Sequence, residues 1–516
     1  MLAFAKFRTV VFVALLAAIL IAGVARGQRS YEELWRPQYH FTPAKNFMND
    51  PNGLVYYKGE YHLFYQHNPQ GAVWGHMSWG HAVSADMLHW KHLPVAIPEE
   101  EGKTMIYSGS AVVDRENSSG LCKKGADGET SCLVAIYTAA GKDIQRQHLA
   151  YSNDRGRTWK NYSGNPVADL GQPDFRDPKL FWYEPQKKWV MVAVLADERL
   201  LKIFDSTNLR EWKLRSTFGP AGDAQGQWEC PDLFELPVEE TRENKWVLIV
   251  NRNPGAPAGG TGTKYFVGSF DGERFTDQTP AGQELWADYG KDFYATNTFA
   301  DVPNSDGRKI WMGWISNWQY ANTEPTSIWR GAQSIPRVLG LRKYQNGIRL
   351  VQEPVREMEQ LRGNEFRLEN MTIGEANQKI KEAGLMGNTV EIEAELQLAG
   401  AEELGFKVLK GGASETLVGV SGGGKSVFID RNKGGESSYS KEAAGRHGTI
   451  ISSRENVKLH IFVDRSSVEL FVNNGEVTLT ERVYPPKGAE RIELYSTNGR
   501  GKIKSLSIWK LRSVWN

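Results

Sequence analysis

An all-β architecture is expected from this sequence, with a five-bladed β-propeller over residues 28–350, a linker over 351–370 and a β-sandwich over 371–516. Strand-like runs recur through the first two thirds, among them Tyr61–Tyr65, Cys132–Tyr137, Trp189–Val194, Trp246–Val250 and Ile310–Trp314. Long helical periodicity does not interrupt them. A degenerate turn follows several of these runs. It reads Ser84-Ala-Asp86 before Trp90, Ser152-Asn-Asp154 before Trp159, Ser206-Thr-Asn208 before Trp212, and Ser269-Phe-Asp271 before Phe275. The short Asx side chain caps its own turn, and the aromatic fills the space between blades. Repetition at this spacing marks a propeller. These copies and the last strand group together make five blades.

The pattern changes near residue 350. Pro354–Arg362 has helical spacing, which suits a bridge between domains. Beyond it come alternating strands at Val390–Leu396, Lys458–Val463, Ser467–Val472, Arg491–Tyr495 and Ile503–Trp509. Asn473-Asn474-Gly475 between two of them is a strong hairpin signal. Short alternating strands with Gly/Asn turns indicate a sandwich.

At 516 residues the chain exceeds one compact core, so two domains are the default. The formal charge is +1, with both signs interspersed. No basic stripe or acidic tail is present, so nucleic acid is not an expected partner. The 52 glycines and 17 tryptophans suit a turn-rich β protein whose aromatics are mostly core, with a minority left to stack on sugar faces. Residues 1–27 read as a signal peptide. Lys6 and Arg8 precede the apolar run Val10–Val24, and Ala25-Arg26-Gly27 supplies a small-residue cleavage site. The apolar run is short for a membrane span. A secreted protein, extracellular or periplasmic, is therefore expected, with no stable membrane association after cleavage. Three cysteines cannot all pair within one chain. Cys122 and Cys132 flank a polar loop that a disulfide could close, and Cys230 reads as a buried free thiol. Asn117, Asn161 and Asn370 open glycosylation sequons that matter only in a eukaryotic host.

Three acidic motifs carry the chemistry: Asn49-Asp50-Pro51-Asn52-Gly53, Arg176-Asp177-Pro178 and Glu229-Cys230-Pro231-Asp232. Each sets a carboxylate in a tight, Pro-bearing turn. Glycosidic hydrolysis needs two positioned carboxylates, and a third can hold the sugar as positive charge develops on it. The ordered set, with its flanks, resembles glycoside hydrolase family 32, which includes invertases, inulinases and levanases. The resemblance runs from about Tyr39 to the C-terminus. It implies a five-bladed propeller followed by a sandwich, and exo-acting release of fructose from β-D-fructofuranosides such as levan, inulin or sucrose. It implies no metal or organic cofactor, and a covalent fructosyl-enzyme intermediate with retention of configuration.

By this resemblance Asp50 is the nucleophile, Asp177 the transition-state stabiliser and Glu229 the general acid/base. The residues themselves point the same way. Asn49 and Asn52 offer Asp50 amide donors that keep a carboxylate ionised and aimed. Arg176 is expected to keep Asp177 charged. Trp228 and a nearby carboxylate are expected to favour the protonated form of Glu229. The resemblance also places Asn49, Gln66, Trp74, Tyr107, Ser108, Arg176, Asp292 and Trp318 at the sugar. Phe47 stands where family members often have Trp, leaving an apolar wall without an indole donor. His67, His76 and His81 fit no metal-binding template.

Other readings share some of these features. Ser152–Trp159 fits the Asp-box of sialidases, which need an arginine cluster and a Tyr nucleophile. A non-catalytic sugar-binding propeller would lack one of the three carboxylates. Fructosyl transfer would follow if a sugar, not water, met the intermediate. The expected partner is a fructan or sucrose-type carbohydrate, and the chain is expected to be a monomer or weak homo-oligomer.

Overall fold

The computed structural model describes residues 31–515 except 126, 224 and 453, so the expected leader over residues 1–27 lies outside the described residues. Five antiparallel sheets form a ring. Blade I comprises Asn46–Tyr57, Glu60–Asn68, Ser78–Ser84 and Lys91–Ile97, and blade II Met105–Asp114, Cys132–Ala140, Gln145–Ser152 and Lys160–Asn161. Blade III comprises Phe175–Tyr183, Lys188–Leu195, Leu200–Ser206 and Lys213–Phe218. Blade IV comprises Gln227–Pro237, Asn244–Asn253, Gly262–Phe270 and Phe275–Asp277, with Leu285–Trp286 added beside Gly262–Phe270. Blade V comprises Tyr294–Thr298, Lys309–Trp314, Arg337–Tyr344 and Gly347–Pro354.

The first strand of each blade is its innermost. These five strands pack in succession, and that of blade V meets that of blade I. Closure is reinforced by Trp329–Arg330, which pairs in parallel with Asn46 and Phe47. A strand clasped between neighbouring blades is buried on both faces. That is why Cys132–Ala140 and Lys188–Leu195 are buried throughout and read as continuous apolar runs rather than as alternation.

The repeated turn lies between the third and fourth strands of blades I to IV. Asp86 Oδ1 accepts the amides of Leu88 and His89 at 3.0 and 2.9 Å, and Asn208 Oδ1 accepts those of Arg210 and Glu211 at the same distances. Trp159 and Trp212 donate their indole N–H to Gly156 and Leu209 carbonyls at 3.1 and 3.0 Å. These are caps on the outer part of each blade, so the Asp-box likeness is architectural. Blade V closes instead through a tight Tyr344–Gly347 hairpin. Cys122 and Cys132 are disulfide-bonded, and Cys230 is a buried free cysteine.

The sandwich pairs a six-stranded sheet, built from Arg362–Thr372, Lys502–Leu511, Val390–Gln397, Asn456–Asp464, Ser467–Val472 and Val477–Arg482, with a five-stranded one. The expected linker over 351–370 is corrected. Strand Gly347–Pro354 still belongs to blade V, and Arg362–Thr372 already edges the sandwich. Between them Arg356–Leu361 makes a short 3-10 segment, and its buried Met358 and Leu361 give the helix-like spacing without a longer helix. The α-helix of this half, Ile373–Glu382, lies further on and starts at a capping box formed by Thr372 and Glu375.

The interface between the two halves is partly apolar, with Phe462 and Phe471 packed into the blade I and V core. A buried charged network runs beside them. His40 sits 2.8 Å from both Asp464 and Glu469, while Arg337 reaches Glu469 Oε2 and Asp288 Oδ2, each at 3.1 Å. Burial pulls the His40 pKa down, but the two carboxylates more than offset it and hold it at about 9. A raised histidine pKa contributes stability that is complete below about 6.5 and is lost as pH climbs through about 9.

Glu469→Ala is expected to lower stability by about 3–5 kcal/mol, because it leaves Arg337 and His40 buried without their shared partner. Unfolding followed from pH 6 to 10 should also show a weaker alkaline decline in the variant than in wild type. A loss under about 1 kcal/mol would contradict this account of the interface.

Candidate active site

The inner strands do more than close the ring. Each carries one more residue than its partner strand at the same level. Met48 pairs with His67 and Pro51 with Tyr65, so Asn49 and Asp50 together oppose Gln66. Arg176 pairs with Val194 and Lys179 with Val192, so Asp177 and Pro178 oppose Ala193. Glu229 pairs with Asn251 and Asp232 with Ile249, so Cys230 and Pro231 oppose Val250. The same irregularity falls at Tyr107/Gly109 in blade II and Tyr294/Asn297 in blade V. A bulge bends the strand and re-aims its side chains. Pro51, Pro178 and Pro231 have no N–H to give a ladder, so a proline inside a strand falls naturally at a bulge. Asp177 and Cys230 take φ of 61° and 42°, a left-handed conformation that the bulge requires.

The bulges deliver the three carboxylates to one cavity of about 460 Å³. Its wall includes Asp50, Asp177 and Glu229, and with them Asn49, Gln66, Trp74, Tyr107, Ser108, Arg176 and Trp318. It also includes Gln145, Gln227, Asn253 and Asn322, which the sequence reading did not single out. A larger groove of about 620 Å³ runs along the sandwich past Glu391, Glu393 and His460. There Arg362 bonds both glutamates at 2.7 Å, and its single charge offsets part of theirs.

Asp50 Oδ1 accepts from Asn49 Nδ2 at 2.9 Å, and its Oδ2 accepts from Ser108 Oγ at 2.6 Å and from the Cys230 thiol at 3.4 Å. Burial pushes its pKa up to about 6. The Glu229 charge adds to the rise, and the bonds from Ser108, Asn49 and Cys230 oppose it. Asp177 was expected to be kept charged by Arg176. Burial instead dominates and raises it to about 7 against the Arg176 charge, with Glu229 and Asp50 adding to the rise. The reason is geometric. Arg176 Nε stands 3.8 Å from Asp177 Oδ2, while Arg176 Nη2 bonds Glu229 Oε1 at 2.9 Å.

Glu229 Oε2 accepts the Tyr294 hydroxyl. Trp228, the expected aromatic neighbour, turns away and packs on Phe218 and Phe266. Tyr294 is the aromatic that meets Glu229, and it does so as a hydrogen-bond donor rather than as an apolar face. Its own pKa is pushed up by burial and by Glu229, so it remains a donor. Cys230 ties the group together: its backbone N–H donates to Asp177 Oδ2 at 2.9 Å and its thiol faces Asp50.

Asp292 is corrected. It is fully buried beneath the cavity wall, where it accepts the Tyr320 hydroxyl, Arg431 Nη1 at 2.7 Å and the Arg482 amide at 2.7 Å. Two sandwich arginines hold it, which leaves it unavailable to a sugar. Phe47 is also fully buried and backs Trp318, with ring centroids 6.3 Å apart, so it supports the wall from behind. His67, His76 and His81 do not converge; they bond the Phe47 carbonyl, Glu99 and His62 respectively. Gln66 Nε2 and Asn49 Oδ1 are buried without a protein partner. Buried polar atoms are normally paired, so these two suit a ligand that supplies hydroxyls. Among the described residues, Arg176 is the arginine in this wall, which does not match the arginine cluster a sialidase needs.

A closed β-ring with three convergent carboxylates and amide-rich walls defines a carbohydrate-cleaving propeller. Sequence profiles agree with that class. The N-terminal domain profile of glycosyl hydrolases family 32 matches residues 40–354, and the family's C-terminal profile matches 357–510. A levanase of Bacillus subtilis is 48% identical over 509 residues, covering 97% of this chain and 74% of that protein. An extracellular exo-inulinase of Aspergillus niger is 39% identical, covering 96% and 98% of the two chains. The crystal structure of exo-inulinase from Aspergillus awamori superposes with a TM-score of 0.86 at 36% identity, covering 94% of this chain and all of the other. The chain belongs to glycoside hydrolase family 32.

Ionising Asp50 in this cavity costs stability. Its folded pKa is raised, so the native state holds the proton more tightly than the unfolded chain between pH about 4 and 6, and stability falls as pH rises through that window. Asp50→Asn is therefore expected to abolish turnover yet stabilise the fold by about 1–3 kcal/mol at pH 7.5, with the gain shrinking toward pH 4. Thermal unfolding at the two pH values checks this. A gain that is absent, or that grows toward acid, would contradict it.

Proposed function

We propose that this chain is a secreted, exo-acting β-fructosidase that removes terminal fructose from fructans or sucrose-type sugars by double displacement. The observation that carries this is the convergence of Asp50, Asp177 and Glu229 from three separate blades on one cavity. In this reading Asp50 attacks the anomeric carbon of fructose while Glu229 protonates the departing glycosidic oxygen. The C–O bond to the leaving sugar breaks as the Asp50 ester bond forms. Glu229, now ionised, takes a proton from water, and that water cleaves the ester, releases fructose and regenerates both groups. Asp177 binds sugar hydroxyls and stabilises the positive charge that develops on the ring. The three carboxylates share one site, so their protons belong to the set rather than to individual residues.

Tyr294 and Arg176 hold Glu229 at both oxygens and so fix its direction toward the leaving group. Ser108 and Asn49 do the same for Asp50. Side chains from all five blades or their connecting loops enclose the cavity, which suits one terminal sugar better than a strand passing through. The levanase and exo-inulinase relatives support the substrate class. The leader-like segment and the extracellular relatives support secretion.

The pH dependence of kcat/KM on a fructan tests the roles. The acid limb should fall between about pH 7 and 6, where first Asp177 and then Asp50 takes up a proton. Glu229→Gln should lose the alkaline limb and roughly 10²–10⁴-fold in rate, and an activated aryl fructoside should suffer least in the first step. Asp177→Asn should slow the reaction and keep the alkaline limb. The opposite behaviour of these two variants would reverse their roles.

A further inference from the structure

We infer that the sandwich sets the leaving-group side of the cavity, with Arg431 acting through Tyr320 as a positioning residue for Trp318 and Asn322. This rests on the β-fructosidase reading of the cavity. Trp318 and Asn322 sit on an irregular segment between strands Lys309–Trp314 and Trp329–Arg330. Its backbone bonds are local turns, such as Tyr320 N–H to the Asn317 carbonyl, so side chains, among them Asn317, Arg330 and Tyr320, tie it to the rest of the fold. Tyr320 and Glu324 are buried at 2% and 1% exposure, whereas Gln319, Asn322 and Thr323 face outward.

The Tyr320 hydroxyl donates to Asp292 Oδ1 and accepts from Arg431 Nη2 at 3.0 Å. Arg431, on sandwich strand Ser426–Lys433, also bonds Asp292 Oδ2 at 2.7 Å. Glu324 accepts from Ser316 Oγ at 2.7 Å and lies 3.9 Å from the sandwich's Arg482. The far end of the segment reaches across to blade I, where Asn322 Oδ1 accepts the Trp74 backbone N–H at 2.7 Å. Trp74 is 38% exposed, so it forms the mouth of the cavity rather than its floor. A shift of this segment would displace Trp318, Asn322 and Trp74 together. Asp50, Asp177 and Glu229 hang from the inner strands of blades I, III and IV, and none of their hydrogen bonds involves this segment. The tether therefore bears chiefly on the mouth of the cavity, through Asn322 and Trp74, where the sugar beyond the cleaved bond lies in this reading.

Tyr320→Phe, which keeps the ring and removes the hydroxyl, is the test, with Arg431→Lys as a second variant that keeps the buried charge. Amide hydrogen exchange over residues 316–326 should quicken about 3–10-fold, as expected for one lost buried hydrogen bond. On a fructan oligomer KM should rise by a similar factor with kcat within about twofold, while KM for an aryl fructoside changes little. Unchanged exchange would overturn the tether. Faster exchange with equal KM changes on both substrates, or with none, would overturn its role in binding. A wild-type chain that cleaves no fructoside would overturn the functional reading and the leaving-group role with it, and exchange would then decide the tether by itself.

Discussion

Gathering three carboxylates around one cavity, with Asp50 and Asp177 buried, is the constraint from which most of this molecule follows. A carboxylate taken out of water binds its proton more tightly, and a neighbouring charge of the same sign tightens it further. That is why Asp50 and Asp177 rise to about 6 and about 7. Such a site repels itself, so the scaffold must hold it. The offsetting groups are few and specific: the Arg176 guanidinium on Glu229, the Ser108 hydroxyl on Asp50, and the Cys230 amide on Asp177. None of the three carboxylates sits on a free loop. Each hangs from a bulge in a strand whose neighbours lie on both sides of a closed ring.

The sandwich belongs to this arrangement although it contributes no carboxylate to the cavity. Its charged residues reach under the propeller, where Arg431 and Arg482 grip Asp292 and Glu469 joins Arg337 to His40. Backbone bonds add to the seam, as Tyr289 and Asp292 donate to Thr478 and Thr480 at 2.9 and 3.0 Å. A buried pair of this kind adds little net stability over an apolar contact of the same volume, but it tolerates one relative placement of the two surfaces. Fixed placement is what a cavity wall anchored from behind by the sandwich needs.

How much of this is legible in the sequence follows from how local each signal is. Asp50, Asp177 and Glu229 stand out because a proline in or just after the same motif falls inside a strand, and a strand tolerates proline only at an edge or bulge. The Asx turns stand out because the capping side chain and the amides it binds lie within four residues. Asp292 is misread because its partners Arg431 and Arg482 are 139 and 190 residues away. The charge state of Asp177 is misread because Arg176 is adjacent in sequence but turns to Glu229 in space. Gln145, Asn253 and Asn322 are lone amides with no pattern around them. Gln227 had a usable signal: it lies two residues before Glu229 and so shares its face of the strand.

The central claim is that Asp50 forms the bond to fructose and Glu229 governs its release. Incubating Glu229→Gln with an activated aryl fructoside, then digesting the protein and weighing its peptides, tests it most directly. With deprotonated Glu229 missing as the base, the fructosyl ester should accumulate on the peptide that contains Asp50. An adduct on any other residue, or burst-free turnover with no adduct at all, would contradict the account.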